Sequence, residues 1–443
     1  MTISATAVWE IRPGNGDNTN GAVFDPSMVG AGTDYTQQDG AQLSLTDINH
    51  TGGSLTITSV TGGFTTAMIG NAIRMNGGTN ITLGWYMITS VTNTNTAAVD
   101  RSMGASSSTN GQGKVGGATK SFSGQTTITL ISAASLQPGN RIYVKNESGW
   151  NESVNVGSKT GNEDTPYILE GYNTSRGDSP TGTNRPVNAR ASAAGVGFTI
   201  GAFWIVKNLR VTAAGSNGFI VEDQSALINS SASGCGAAGI IPTGSSHVRF
   251  IDCESSNNTG AGFGINTSTL TSLVFSNCVS HGNTGAGFDM RGASAGGGVS
   301  LFYCTSYANS SHGVWLPSNY FFVVNCTVDG NTGATTDGFI VDNNSNYFGT
   351  IFNCNITNNG RYGINNDSLQ KNVYFDYNNF FGNGTAALFN ATSGPHDLAV
   401  DPRYRDSANG DFTTGTLLQG SPNNIGVTQL TVRHRGLRLG GAL

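Results

Sequence analysis

Charge is what this sequence has least of. Only 11% of its 443 residues are Asp, Glu, Lys or Arg, less than half of the roughly 25% in an ordinary globular domain. The charged helix formers are therefore scarce, while Gly reaches 63 residues and is costly inside helices. Both facts argue against a helical protein. No run of 18 apolar residues occurs, so no membrane-spanning helix is expected. A formal net charge of −5 argues against a sequence-independent nucleic-acid binder. Residues Met1 to Glu10 have neither a basic n-region nor an apolar h-region. No secretory signal is expected there, and the six cysteines are expected to be reduced thiols. Disorder is also disfavoured, because 37% of the chain is hydrophobic, with 21 Phe, 13 Tyr and 5 Trp.

An internal repeat is the strongest positive signal. Gly followed by an apolar residue recurs at Gly218-Phe219, Gly239-Ile240, Gly262-Phe263, Gly287-Phe288, Gly313-Val314, Gly338-Phe339 and Gly363-Ile364, at intervals of 21 to 26 residues. Nine residues before most of these glycines lies one recurring position: Leu209, Ser230, Cys253, Cys278, Cys304 and Cys354, with Cys326 set back by a three-residue insertion. Upstream of it apolar and polar residues alternate, as in Val248-Arg249-Phe250-Ile251-Asp252, and downstream comes an Asn/Gly-rich turn. Strands this short cannot bury a face alone, but stacking successive units lets each pair in parallel with its equivalent about 4.8 Å away. The expected fold is all-β, a right-handed single-stranded parallel β-helix (solenoid).

Column logic then assigns side chains. Cys253, Cys278, Cys304, Cys326 and Cys354 fall on one inward column where a small apolar thiol packs, a structural role. Cys235 lies off it and reads as a loop thiol. No Cys-x-x-Cys or Cys/His cluster exists, so no metal and no cofactor are expected. The residues before the Cys position (Asn208, Asn229, Asp252, Asn277, Tyr303, Asn325, Asn353, Asp376) are expected to stack as a polar ladder, and the repeat glycines to occupy corners with positive φ.

Three parts follow from the pattern. Residues 1–118 form an extended arm and a small β-rich N-terminal region, with the Ser/Thr/Asn/Gly-rich 104–117 reading as a loop. The arm, 1–50, has few apolar positions in any period and is expected to wrap its own helix or a partner. Residues 119–396 are the β-helix. Residues 397–443 are a C-terminal cap and a basic tail that includes Arg433, Arg435 and Arg438.

With Asn-Cys before the turn and Gly-Phe after it, the chain resembles right-handed parallel β-helix proteins of the pectate-lyase-like superfamily. The segment from Asp401 to Phe412, followed by Gly420-Ser421-Pro422, resembles a closing element many of them share. The Gly-rich arm and small β-element are similar to phage virion proteins of this fold. Those resemblances imply a homotrimer located in a virion, made in the host cytoplasm, with capsid or other virion proteins as partners, or a host glycan, and with neither nucleic acid nor membrane. The fold itself hosts lyases, hydrolases, adhesins and spikes alike.

Catalytic candidates are few. No Asn-Thr-Asp, Asp-Asp or Arg-Ile-Lys sequence is present. Asp342 and Asp367 each follow a repeat glycine by four residues in consecutive coils, a separation near 5 Å that would suit a retaining glycosidase, although a corner column of Asp and Asn is the commoner outcome. Asp337 and Asp289 could join a groove. His281 and His312 read as turn residues, and Trp315, Tyr320 and Tyr347 as rings for a sugar, the core or a subunit interface. Two functions stay open. One is a non-catalytic, trimeric structural virion protein that decorates or cements a capsid. The other is a tailspike or adhesin that binds host polysaccharide, with or without cleaving it.

Overall fold

In a computed structural model, residues 4–414 are described apart from 123–135, 158–162, 191–193, 245–246, 266–271, 293–297, 318–319, 342–347 and 368–371. The chain is all-β, with only single-turn 3₁₀ segments among the described residues, and builds a right-handed parallel β-helix. It divides into two compact units, residues 1–188 with 203–209, and residues 189–202 with 210–443.

The first unit contains a closed antiparallel barrel of six strands: Leu43–His50, Thr56–Thr58, Ala72–Gly77, Gly84–Asn93, Thr96–Val99 and Ser108–Val115. Its interior holds Ile48, Ile57, Phe64, Ile73, Met75, Tyr86 and Val115. The segment expected as a loop therefore contributes a barrel strand. Its glycines are the reason: Gly113 leaves no room for a Cβ, which would lie 2.8 Å from Met75 Sδ and 3.0 Å from Ile48 Cδ1. The arm lends extended strands to both the β-helix and the barrel. Val8–Ile11 pairs in parallel with Arg141–Lys145, which pairs with Tyr167–Tyr172 and through it with Trp204–Lys207. Trp9 and Glu10 on that strand are fully buried. The Glu10 carboxylate is held by Arg176, by Arg12 at 3.3 Å and by the Tyr172 hydroxyl, and Arg176 also reaches Asp34 at 2.6 Å. Buried charge on this scale is tolerated only when it is paired from several sides.

The second unit is a stack of three-faced coils. In one coil, Val248–Ile251 lies on the first face, Glu254–Ser256 on the second and Phe263–Gly264 on the third. Within this unit the first face extends to Val373–Asp376, the second to Asn379–Phe381 and the third to Ala386–Phe389, each strand in register with its equivalent. Inside, Phe250 stacks on Phe275 at 4.9 Å and Phe263 on Phe288 at 4.8 Å. The five cysteines of the column are buried and free. The thiols of Cys253, Cys278, Cys304 and Cys326 point at carbonyls one coil earlier, 3.2–3.6 Å away. Burial pushes the Cys253, Cys278, Cys304 and Cys354 thiols well above their ordinary range. Cys235, expected in a loop, is buried as well because its Sγ is folded back toward the Ser233 carbonyl.

Two expectations about the corners are corrected. Asn208, Asn229, Asp252, Asn277, Tyr303, Asn325 and Asn353 take the left-handed conformation at the first corner, with φ between 43° and 60°. Asp376 does not; the following Tyr377 does. The short amide side chains tolerate this region, and Asn277 donates to Asp252 at 2.6 Å there. The continuous ladder lies elsewhere, on the Asn five residues beyond each Cys. Asn258, Asn283, Asn309, Asn331, Asn359 and Asn383 pass Nδ2–H···Oδ1 bonds of 2.9–3.0 Å from coil to coil. Each Oδ1 also accepts the backbone amide of the preceding ladder Asn. The repeat glycines face this ladder, and their φ is not positive. A Cβ at Gly262 or Gly287 would overlap Ser280 or Ser306 Oγ and lie 2.8 Å from the ladder amide behind it. Close approach, rather than backbone conformation, requires glycine at these positions.

Candidate functional site

The residue before each repeat glycine occupies an equivalent backbone position in successive coils, its carbonyl accepting the repeat-glycine amide of the preceding coil at 2.9–3.2 Å. It is Ala238, Ala261 and Ala286 in three coils, then His312, Asp337 and Tyr362 in the next three. Three polar side chains thus line up along one edge of the third face. The outward positions beside them are Asp289, Trp315, Ile340, Asn365 and Phe389, in register.

Asp337 organises this strip. It is fully buried, and its Oδ1 accepts from Arg361 Nε at 2.8 Å and the Tyr362 amide at 3.1 Å. Its Oδ2 accepts from Arg361 Nη2 at 2.6 Å and Asn365 Nδ2 at 3.0 Å. Four donors satisfy a buried carboxylate, and its bonds hold the Arg361 guanidinium more firmly charged. The Asp337 amide donates to His312 Nδ1 at 3.0 Å, so the neutral imidazole carries its proton on Nε2. Burial pushes the His312 pKa down, with Arg361 and Arg291 acting in the same direction and Asp337 and Asp289 opposing. His312 is thus a neutral hydrogen-bond donor around pH 7.

Beyond His312, the Trp315 ring meets it edge to face at 4.8 Å. The Arg291 guanidinium lies 3.7 Å over the other ring system of the pair, that of Trp315, and clamps Asp289 through two bonds of 2.8 and 2.6 Å. At the opposite end Tyr362 stacks on Phe389 at 4.9 Å. Two buried polar atoms in the strip have no partner, Trp315 Nε1 and Asn365 Oδ1. Native proteins rarely leave such atoms unpaired without a reason.

The structure keeps some sequence candidates and separates others. Asp337 and Asp289 lie in the strip, each spent in an ion pair with an arginine. Asp367 is exposed just past the strand Tyr362–Asn366. Asp342 and Tyr347 lie outside the described residues, so the Asp342–Asp367 pair has no geometry. His281 is not in a turn but ends a second-face strand, stacked on Tyr307 at 4.7 Å and 3.2 Å from Glu254. Tyr320 is half exposed on the first face. Arg291, Arg361 and Asn365 were missed. The signal for them was the change from Ala to His, Asp and Tyr before the repeat glycine. Among the described residues no group of three His, Cys, Asp or Glu is placed to hold a metal ion. No helix among them is long and apolar enough to cross a membrane.

Comparison with known proteins agrees with the fold. A family model described as right handed beta helix region matches residues 191–319. No curated protein matches the chain. Among solved structures, the pectate lyase Pel9A is 17% identical with a TM-score of 0.46, over 68% of this chain and 83% of that one. The Azotobacter vinelandii mannuronan C-5 epimerase AlgE4 A-module is 15% identical with a TM-score of 0.39, over 60% and 85%. ORF18 of Geobacillus virus E2 is 14% identical with a TM-score of 0.42, over 57% of this chain and about half, 52%, of the viral one.

Proposed function

We propose that this protein is an attachment β-helix of a tailed-phage particle that holds polysaccharide along its third face without cleaving it. The observation that carries this reading is the run His312–Asp337–Tyr362, which follows three coils with alanine at the same position, with Arg291, Trp315, Arg361 and Asn365 gathered around it. A sugar ring offers an apolar C–H face to aromatic side chains and hydroxyls that both donate and accept. The strip supplies rings at Trp315 and Tyr362 and donors at His312 Nε2 and the two arginines. Pockets with few polar groups among apolar ones suit such ligands. Hydrolysis by carboxylates needs one acid and one free base or nucleophile, and both carboxylates of the strip are neutralised by arginine. The sequence pointed first to a capsid-decorating role, and this geometry favours its glycan-binding alternative.

Affinity electrophoresis through gels containing acidic or neutral host polysaccharides tests the proposal, with reducing-end and unsaturated-uronate assays run alongside. Retardation of the full chain, lost in His312→Ala and Arg291→Ala and accompanied by no new chain ends, is the expected result. Free migration in every gel would overturn it. A second reading, decoration of the capsid, draws on the aromatic surface of the first face. Gold-labelled antibody spread over the shell rather than the tail would favour it.

A further inference from the structure

The outer side of the first face changes character along the coils. Its outward residues are Arg249 and Ile251, then Ser272, Val274 and Ser276, in the earlier strands. From residue 298 onward they become Gly298, Ser300 and Phe302, then Tyr320, Phe322 and Val324, then Thr350 and Phe352, then Tyr374. Tyr320, Phe322, Phe348 and Tyr374 are 45–63% exposed, and Tyr303 at the adjoining corner is 52% exposed. The patch is continuous: Phe302 meets Phe322 at 5.7 Å and Tyr320 meets Phe348 at 6.4 Å. With roughly 200 Å² per ring, these five rings alone expose about 500 Å² of mostly apolar surface. That reaches the upper range for a monomer's largest patch. It is also more than half of the roughly 800 Å² per partner of a stable protein interface.

The register shows what fits it. One column runs Ser300, Phe322, Thr350, Tyr374 in consecutive coils, small and large in alternation. We infer that this face is a homodimer interface in which a second copy packs antiparallel across a two-fold axis passing between Phe322 and Thr350. That operation sets every ring of the column over a notch: Phe322 meets Thr350 of the partner subunit, and Tyr374 meets Ser300 of the partner subunit. A two-fold contact requires such a self-complementary surface. Charge agrees, since the outward residues of strands 298–302, 320–324 and 349–352 carry none. The neighbouring Asp376 is already held by His396 at 3.0 Å and by Tyr374 at 2.9 Å. This assembly is independent of the glycan reading and has two copies rather than the three the phage resemblance implies.

Sedimentation velocity of the full chain over a dilution series tests it. The wild type is expected to sediment as a dimer. Phe322→Ser, and separately Thr350→Lys, which fills the notch, weaken self-association about thirty-fold or more, the effect of losing a central contact. Arg249→Ala, on the same face outside the patch, leaves it unchanged. Circular dichroism and thermal melts confirm that each variant remains folded. A wild-type monomer at all concentrations, a three-copy mass, or dimers unaffected by both substitutions would overturn the inference. So would patch-dependent retention on polysaccharide by a monomeric wild type. Loss of the dimer with unchanged retardation in glycan gels supports it and leaves the third-face proposal standing.

Discussion

The coils that carry Ala238, Ala261 and Ala286 and those that carry His312, Asp337 and Tyr362 share one backbone and one amide ladder. They differ in the side chain placed just before the repeat glycine. In the first set that side chain is a methyl group. In the second it is an imidazole, a carboxylate and a phenol that draw two arginines and a tryptophan into a strip. The lesson is that the coil separates what must stay constant from what is free to vary. The inward Gly–Asn contact is fixed by space, while the outward neighbour one residue away is unconstrained by it and can acquire chemistry.

If that separation is right, damage to the shared interior should be equally severe in both sets. Gly287→Ala and Gly338→Ala are each expected to cost about 3 kcal/mol, since the added methyl meets carbonyl and ladder atoms in both coils. Gly264→Ala, whose Cβ would lie 3.5 Å from its nearest neighbours, should stay within about 0.5 kcal/mol. Urea unfolding reads all three, and a mild effect at Gly338 alone would break the comparison. Asn309→Ala comes next, at about 2 kcal/mol, because it leaves the buried Asn283 backbone amide without its acceptor and takes one donor from Asn331 Oδ1.

Changes to the variable position should be smaller and should differ between the sets. Asp337→Ala is expected to cost about 2 kcal/mol, the penalty of leaving Asn365 and the Tyr362 amide unpaired, and to abolish glycan retardation. His312→Ala should cost less than about 1 kcal/mol at pH 8 yet change the pH response. The folded His312 has a pKa below its ordinary 6.5, so the unfolded chain binds the proton first. Stability is therefore full above pH 6.5 and declines as pH falls below it. The substitution should remove that part of the decline, and melting curves at stepped pH show whether it does. The smallest contrast is in thiol reactivity: Cys278 and Cys326 lie in different sets, are both buried and should be equally protected until the protein is denatured.

The coil architecture was legible because Gly-Phe and Asn-Cys recur at nearly constant intervals, and a repeat reports stacking directly. The barrel was not. Strand Ser108–Val115 is built from Ser, Thr, Asn, Gln and Gly, whose composition is that of a loop, and only the Ile48 and Met75 side chains opposite explain its glycines. The expected column bonds between coils at Asn277–Asp252 and Asn353–Asn325, and the continuous ladder was missed for a related reason. Asn before Cys and Asn five residues after it look alike in sequence, and only the left-handed corner separates them. At the candidate site Asp337 was visible as a carboxylate beside a repeat glycine. Arg291 and Arg361 were not, because Arg291 meets Trp315 and Arg361 meets Asp337 from 24 residues away.

The amide ladder also has a direction. Each Asn side chain donates to the one that follows it in sequence, from Asn258 toward Asn383, and each Oδ1 arrives to satisfy an amide already in place. During synthesis an emerging coil thus completes the one before it, and the growing end always presents one open amide. Coils added in chain order would therefore complete the ladder from Asn258 toward Asn383. Chains arrested after residue 331 should protect the Asn283 and Asn309 amides from hydrogen exchange while leaving that of Asn331 open.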